Sequence, residues 1–245
     1  MRFAPLHRMR GETPHDLHFQ SLHIAPELKK ILARPLIVGA SVSTNHRGIQ
    51  SPGLQLALRA TTTDAIRTIG RSGRPAASVL KLLQEDDLRD RTCVIGIDLL
   101  FWDSTLASPN ETFREFRKFT QLVMRRELPI AVGEVPGFFP PMQPQWKAMN
   151  REIRRFEKEY EKCVVLPFDS IYHQILEAGL LVHQEVKYSI QELIPDGLHL
   201  SSLAGKVLAD CLQEEWRKNL LASTSLAAVQ KRSARNGHHD SEETN

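Results

Sequence analysis

At 245 residues the chain has room for one well-filled domain and would be cramped as two. Its 32 basic and 29 acidic residues leave a formal charge of +3, too slight to imply a nucleic acid or an anionic membrane surface as partner. Its three cysteines, Cys93, Cys163 and Cys211, lie far apart without a CxxC pair, which argues against a disulfide framework or a zinc site, and nothing in the sequence calls for a metal or a cofactor.

Residues Met1 to Gln20 scatter Arg, His, Glu and Asp, with no apolar run that would serve as a secretory leader, and no later stretch is long and apolar enough to span a membrane. A soluble, cytoplasmic protein is expected. Residues 1–27 read as a polar, His-rich arm, and 28–220 as the folded domain.

Arg34-Pro35-Leu36-Ile37-Val38-Gly39-Ala40-Ser41 is the first ordered landmark. Consecutive apolar residues ending in small ones predict a short buried parallel strand that stops in a tight turn. Ser41 then stands at the strand's carboxyl end, the edge where open α/β sheets bind ligands. Pro52 and Gly53 lead into a short helix through Ala60. A second strand follows over Ala65 to Ile69, and then the loop Gly70-Arg71-Ser72-Gly73-Arg74-Pro75, whose glycines permit close approach of backbone to a ligand. Ala76 to Leu83 reads as a helix.

Thr92 to Asp98 is the clearest strand, a continuous apolar run bounded by charge. Its long exit loop carries Phe101, Trp102 and Asp103, placed either to wall a cleft or, for the two aromatics, to fill the core. Helical spacing over Glu111 to Glu127, with Asn110 as cap, and over Trp146 to Tyr160 frames a fourth strand at Pro129 to Glu134. Cys163 to Pro167 is the fifth strand and Ser170 to Ala178 a helix. Leu180 to Leu193 has no single period. A final helix runs from Ser201 to about Leu220, and 221–245, with no apolar stripe after Val229, reads as a disordered tail. Strands alternating with helices predict one three-layer α/β domain, a parallel sheet of about five strands with helices on both faces. The loops that carry Ser41, Gly73 and Asp98 then share one edge.

Asp196 and His199 stand three residues apart in the turn before the last helix, so the carboxylate can reach the imidazole. An Asp that accepts from Nδ1–H leaves Nε2 as a base for a nearby hydroxyl.

Four separated blocks resemble the SGNH (GDSL-like) hydrolase superfamily: Gly39-Ala40-Ser41-Val42, Gly73 within Ile69-Gly70-Arg71-Ser72-Gly73, Gly96-Ile97-Asp98, and Asp196-Gly197-Leu198-His199. The resemblance spans about Leu36 to Leu212. It implies the family's flavodoxin-like fold, a Ser41-His199-Asp196 triad acting on a small ester or acyl substrate through an acyl-Ser41 intermediate, and Gly73 with residue 98 in the oxyanion hole. Two positions depart from the pattern. Ala40 replaces the usual Asp of the first block, and Asp98 replaces the Asn whose amide would donate to the oxyanion. An ionised Asp cannot donate. Asp98 is therefore protonated by burial, turned away onto Arg71, Arg74 or His46, or part of a different design. The alternative to a hydrolase is a catalytically weak binding or regulatory protein on the same fold. A dinucleotide-binding reading fails, because the glycine fingerprint after the first strand is missing.

Overall fold

The computed structural model describes residues 23–45 and 48–236, with side chains as far as Ala222. Most of the expected arm (1–22), His46 and the end of the expected tail (237–245) lie outside the described residues. In chain order the elements are α1 (Pro26–Ile31), β1 (Pro35–Gly39), α2 (Pro52–Leu58), β2 (Arg67–Gly70), α3 (Ala76–Leu80), α4 (Glu85–Leu88), β3 (Cys93–Gly96), α5 (Asn110–Arg125), β4 (Ile130–Gly133), α6 (Trp146–Glu159), β5 (Cys163–Leu166), α7 (Phe168–Ala178), β6 (Leu180–His183), β7 (Val186–Ser189), α8 (Ile190–Leu193) and α9 (Ser202–Asn236).

Five strands form a parallel sheet in the order β2-β1-β3-β4-β5. Ile37 of β1 lies opposite Thr68 of β2 on one side and Ile95 of β3 on the other. Successive side chains of a strand point to opposite faces, and here each face meets its own layer of helices. Ile37, Ile95, Ala131 and Val164 belong to one core with Leu56 of α2, Leu208 and Trp216 of α9. Leu36, Val38, Val94, Ile130 and Val165 belong to the other, with Phe116 of α5 and Ile153 of α6. Burial on both faces is why these strands read as unbroken apolar runs. Ile95 has no exposed surface, and truncating such a residue to alanine costs about 2–5 kcal/mol.

The strand order reverses beside β1: the chain steps from β1 to β2 on one side and returns to β3 on the other. In open α/β sheets the crevice at this reversal, at the carboxyl ends of the strands, is the ligand site. Ser41 and Asp98 both stand just past the ends of the strands that flank it.

The helices differ from the expected bounds most clearly in three places. Ala76 to Leu83 is not one helix: α3 ends at Leu80, and α4 begins after Gln84, whose side chain and Asp87 form a reciprocal cap. Asn110 is the first helical residue of α5, with Pro109 in the cap position. Residues 222–236, expected to be disordered, continue α9 as helical backbone. Ala, Leu, Gln, Lys and Arg in that stretch are strong helix formers and propagate a helix without an apolar stripe. The core also starts slightly early, at Ile24, ahead of the expected boundary at Leu28.

Leu180 to Leu193 resolves into an antiparallel hairpin, β6 with β7, followed by α8. A buried polar cluster ties it to the helices. Asp210 of α9, its side chain fully buried, pairs with Arg59 after α2 at 2.5 Å, His183 at 3.0 Å and Gln184 at 3.1 Å. No helix among the described residues is long and apolar enough to cross a membrane.

Candidate active site

Ser41 lies in a turn directly after β1, and the turn is built on Asp98. One oxygen of Asp98 accepts from the Ala40 amide at 3.1 Å and from the Ser43 hydroxyl at 2.5 Å; the other accepts from the amides of Val42 at 2.8 Å and Ser43 at 3.3 Å. The carboxylate therefore holds the backbone on both sides of Ser41. Burial pushes its pKa up, and the four hydrogen bonds pull against that shift. Of the readings open to Asp98 from the sequence, the pairing with Arg71 or Arg74 is not found among the described residues: both carboxylate oxygens are taken by backbone amides and Ser43. Gly39 is the residue that admits this arrangement: a Cβ there would collide with Asp98 Oδ1 and Ser43 Oγ.

The loop after β2 comes alongside through the β1–β2 pairing, with the Arg71 amide donating to the Gly39 carbonyl at 3.1 Å. Gly73 at its tip has φ of +67°, a left-handed conformation with open space around the α-carbon. Among the described residues neither the N–H of Ser41 nor that of Gly73 is used by a hydrogen bond.

The turn before α9 presents the imidazole. Gly197 at φ +77° lets the chain fold back so that Asp196 accepts from the amides of His199 at 2.7 Å and Leu198 at 3.0 Å, and meets His199 Nδ1 at 2.8 Å. The His199 amide, then its ring, hold the Asp196 carboxyl well below the usual carboxylate range. With Nδ1–H given to Asp196, Nε2 carries the lone pair.

Two cavities meet at Ser41. One, of about 270 Å³, is lined by Ser41, Gln50, Ser51 and His199, among others, so the candidate nucleophile and base share its wall. The second, of about 430 Å³, runs from Ser41 and Asp98 past Ile97, Phe101, Phe138 and Phe168 to Glu134. Phe101 thus walls the cleft. Asp103 does not: it is buried beneath, accepting from the Ala76 amide at 2.7 Å and from the Thr112 hydroxyl. Trp102 packs edge-to-face on Phe101 and is absent from the residues that line either cavity.

No protein-family model matches the sequence, and no curated protein matches it. Solved structures do match. The psychrotrophic esterase EstA from Pseudoalteromonas sp., in a structure inhibited by monoethylphosphonate, gives a TM-score of 0.52 over 76% of this chain and 98% of its own, at 12% identity. A member of the lipolytic G-D-S-L family from Veillonella parvula gives 0.55 over 74% and 96%, at 10% identity. An alpha/beta hydrolase enzyme from the metagenome of Lake Arreo, Spain, gives 0.54 over 75% and 94%, at 15% identity. The chain has the SGNH hydrolase fold.

Within that SGNH fold, the structure brings Ser41 and His199 to one cavity, joins His199 to Asp196, and sets the Gly73 loop beside the Ser41 turn. Besides Gln50 and Ser51 of the smaller cavity, two polar residues of the site were not picked out from the sequence. Ser43 is one, although a hydroxyl two residues after Ser41 in a tight turn is a natural partner for a buried acid. Glu134 is the other, a charged residue at the end of an apolar run, on the same sheet edge as Ser41 and Asp98. That position was the available signal.

Proposed function

We propose that the protein is a serine hydrolase of carboxylic esters. The observation that carries this reading is the Asp196–His199 pair at 2.8 Å, with His199 lining the same cavity as Ser41. Ser41 Oγ attacks the ester carbonyl carbon while His199 Nε2 takes its proton. The oxyanion so formed accepts from the unused amides of Ser41 and Gly73. Collapse breaks the ester C–O bond, and His199 returns the proton to the departing alcohol, leaving an acyl-Ser41 ester. His199 then deprotonates a water that attacks this ester, and the acid leaves with Ser41 restored. Because His199 protonates the leaving group, the alcohol occupies the smaller cavity on the His199 side, and the acyl group the larger, largely apolar one.

In this reading Asp98 is a clamp on the nucleophile turn and contributes no donor to the oxyanion. Two amides then do the work for which the family uses three donors, and a missing donor costs on the order of 10² to 10³ in rate. That cost is the observation favouring the second reading, a catalytically weak binding or regulatory protein. Hydrolysis of p-nitrophenyl butanoate separates them. The hydrolase reading expects turnover that falls by on the order of 10⁴ or more in Ser41→Ala and His199→Ala; activity that survives Ser41→Ala, or its absence in the wild type, contradicts it.

A further inference from the structure

The larger cavity has apolar walls and one unsatisfied group. Glu134, 7% exposed, lines it. Its Oε1 is held by Arg154, reaching in from α6, with Nε at 2.8 Å and a terminal nitrogen at 2.6 Å. Its Oε2 is buried and has no hydrogen-bond partner among the described residues. A buried acceptor without a donor is costly unless an ordered water or a ligand supplies one. Asp98, the other acid on the wall, has both oxygens committed to the Ser41 turn. Glu134 is thus the acid of the cavity wall with an oxygen, Oε2, that no donor among the described residues satisfies.

We propose that the acyl group of the substrate carries a hydroxyl that donates to Glu134 Oε2; the site thus takes esters of hydroxy acids, an inference that rests on the hydrolase reading above. A neutral donor fits better than an ammonium group. Arg154 already balances the charge of Glu134, and a second cation would be stripped of water against Ile97, Phe101, Val135 and Phe138. An apolar acyl chain fills the same walls but leaves Oε2 unpaired, and sites built around a hydrogen bond discriminate strongly against ligands that lack it.

The test compares p-nitrophenyl hexanoate with hexanoates bearing a hydroxyl or a methoxy group at the β or ε carbon, positions that do not readily close to a lactone. The methoxy group has similar bulk and accepts but cannot donate. One hydroxy ester should exceed both the plain and the methoxy ester in kcat/KM by roughly 10-fold or more, and Glu134→Met should bring the ratio close to one. The wild-type comparison stands alone should Glu134→Met not fold. Hydrolysis of the plain ester with no preference for a hydroxyl overturns this inference and leaves the hydrolase reading in place. Calorimetric titration of Ser41→Ala with the same esters reads the preference without turnover. If no ester is hydrolysed, tightest binding of a hydroxy ester supports the inference against the hydrolase reading, and equal or absent binding overturns both.

Discussion

Asp98 receives the Ser43 hydroxyl at 2.5 Å while its two oxygens also take the amides of Ala40 and Val42, the residues on either side of Ser41. The acid in the third sequence block is thus part of the first. It fixes the backbone on which the candidate nucleophile stands.

This arrangement sets the outcome of Asp98→Asn. An amide can accept through its oxygen, but its NH2 would face the N–H groups of Val42 and Ser43, or the hydroxyl and amide on the other side. Stability should fall by about 1–3 kcal/mol, measured by urea unfolding, and ester hydrolysis should fall with it. A rise in hydrolysis would mean that the charge of Asp98 acts on the oxyanion instead of holding the turn.

Gly39→Ala tests the same clamp from below. Its methyl group would strike Asp98 Oδ1 and Ser43 Oγ, so the turn must shift. Overpacking of this kind costs about 1–3 kcal/mol. The matched change Gly39→Ala with Ser43→Gly should recover part of that loss in the urea midpoint, and no recovery would place the strain elsewhere.

Asp196 gives a pH dependence of definite sign. The His199 amide and ring hold its folded-state pKa below the ordinary value. A depressed acid adds stability above its unfolded pKa, roughly 3.9, and that stability is lost as pH falls through the folded value. The melting-temperature gap between wild type and Asp196→Asn should therefore be fully open above about pH 5 and close as pH falls below about 4. A gap that closes well above pH 5 contradicts the assignment.

Asp210 predicts a purely structural defect. Its fully buried carboxylate joins Arg59, His183 and Gln184, and removing one partner of a buried pair leaves the others uncompensated. Asp210→Ala should cost about 3–5 kcal/mol in urea unfolding. A cost under about 1 kcal/mol would show that the cluster is solvated.

The sheet was legible because strands buried on both faces are continuous apolar runs, as Val94 to Ile97 and Ile130 to Val132 show. The β6–β7 hairpin was not. Its faces are only half buried, and its two-residue turn is made by Gln184 at φ 50° and Glu185 at φ 66°, left-handed positions where a hairpin normally announces itself with Asn-Gly or Asp-Gly. The Asp196–His199 pair could be read from spacing, since a short turn leaves the two side chains little choice. The orientation of Asp98 could not, because it depends on Gly39 and Ser43, more than fifty residues earlier in the chain. Helix α9 beyond Leu220 has no apolar stripe to announce it, and its helical backbone rests on the propensity of its Ala, Leu, Gln, Lys and Arg residues.

Covalent labelling of Ser41 probes the hydrolase reading without a known substrate, since it needs only a nucleophile. A fluorophosphonate probe followed by peptide mapping should place one adduct on Ser41, abolished in Ser41→Ala and strongly slowed in His199→Ala. A folded wild-type protein that takes no label at Ser41, or takes it equally fast without His199, would contradict the account.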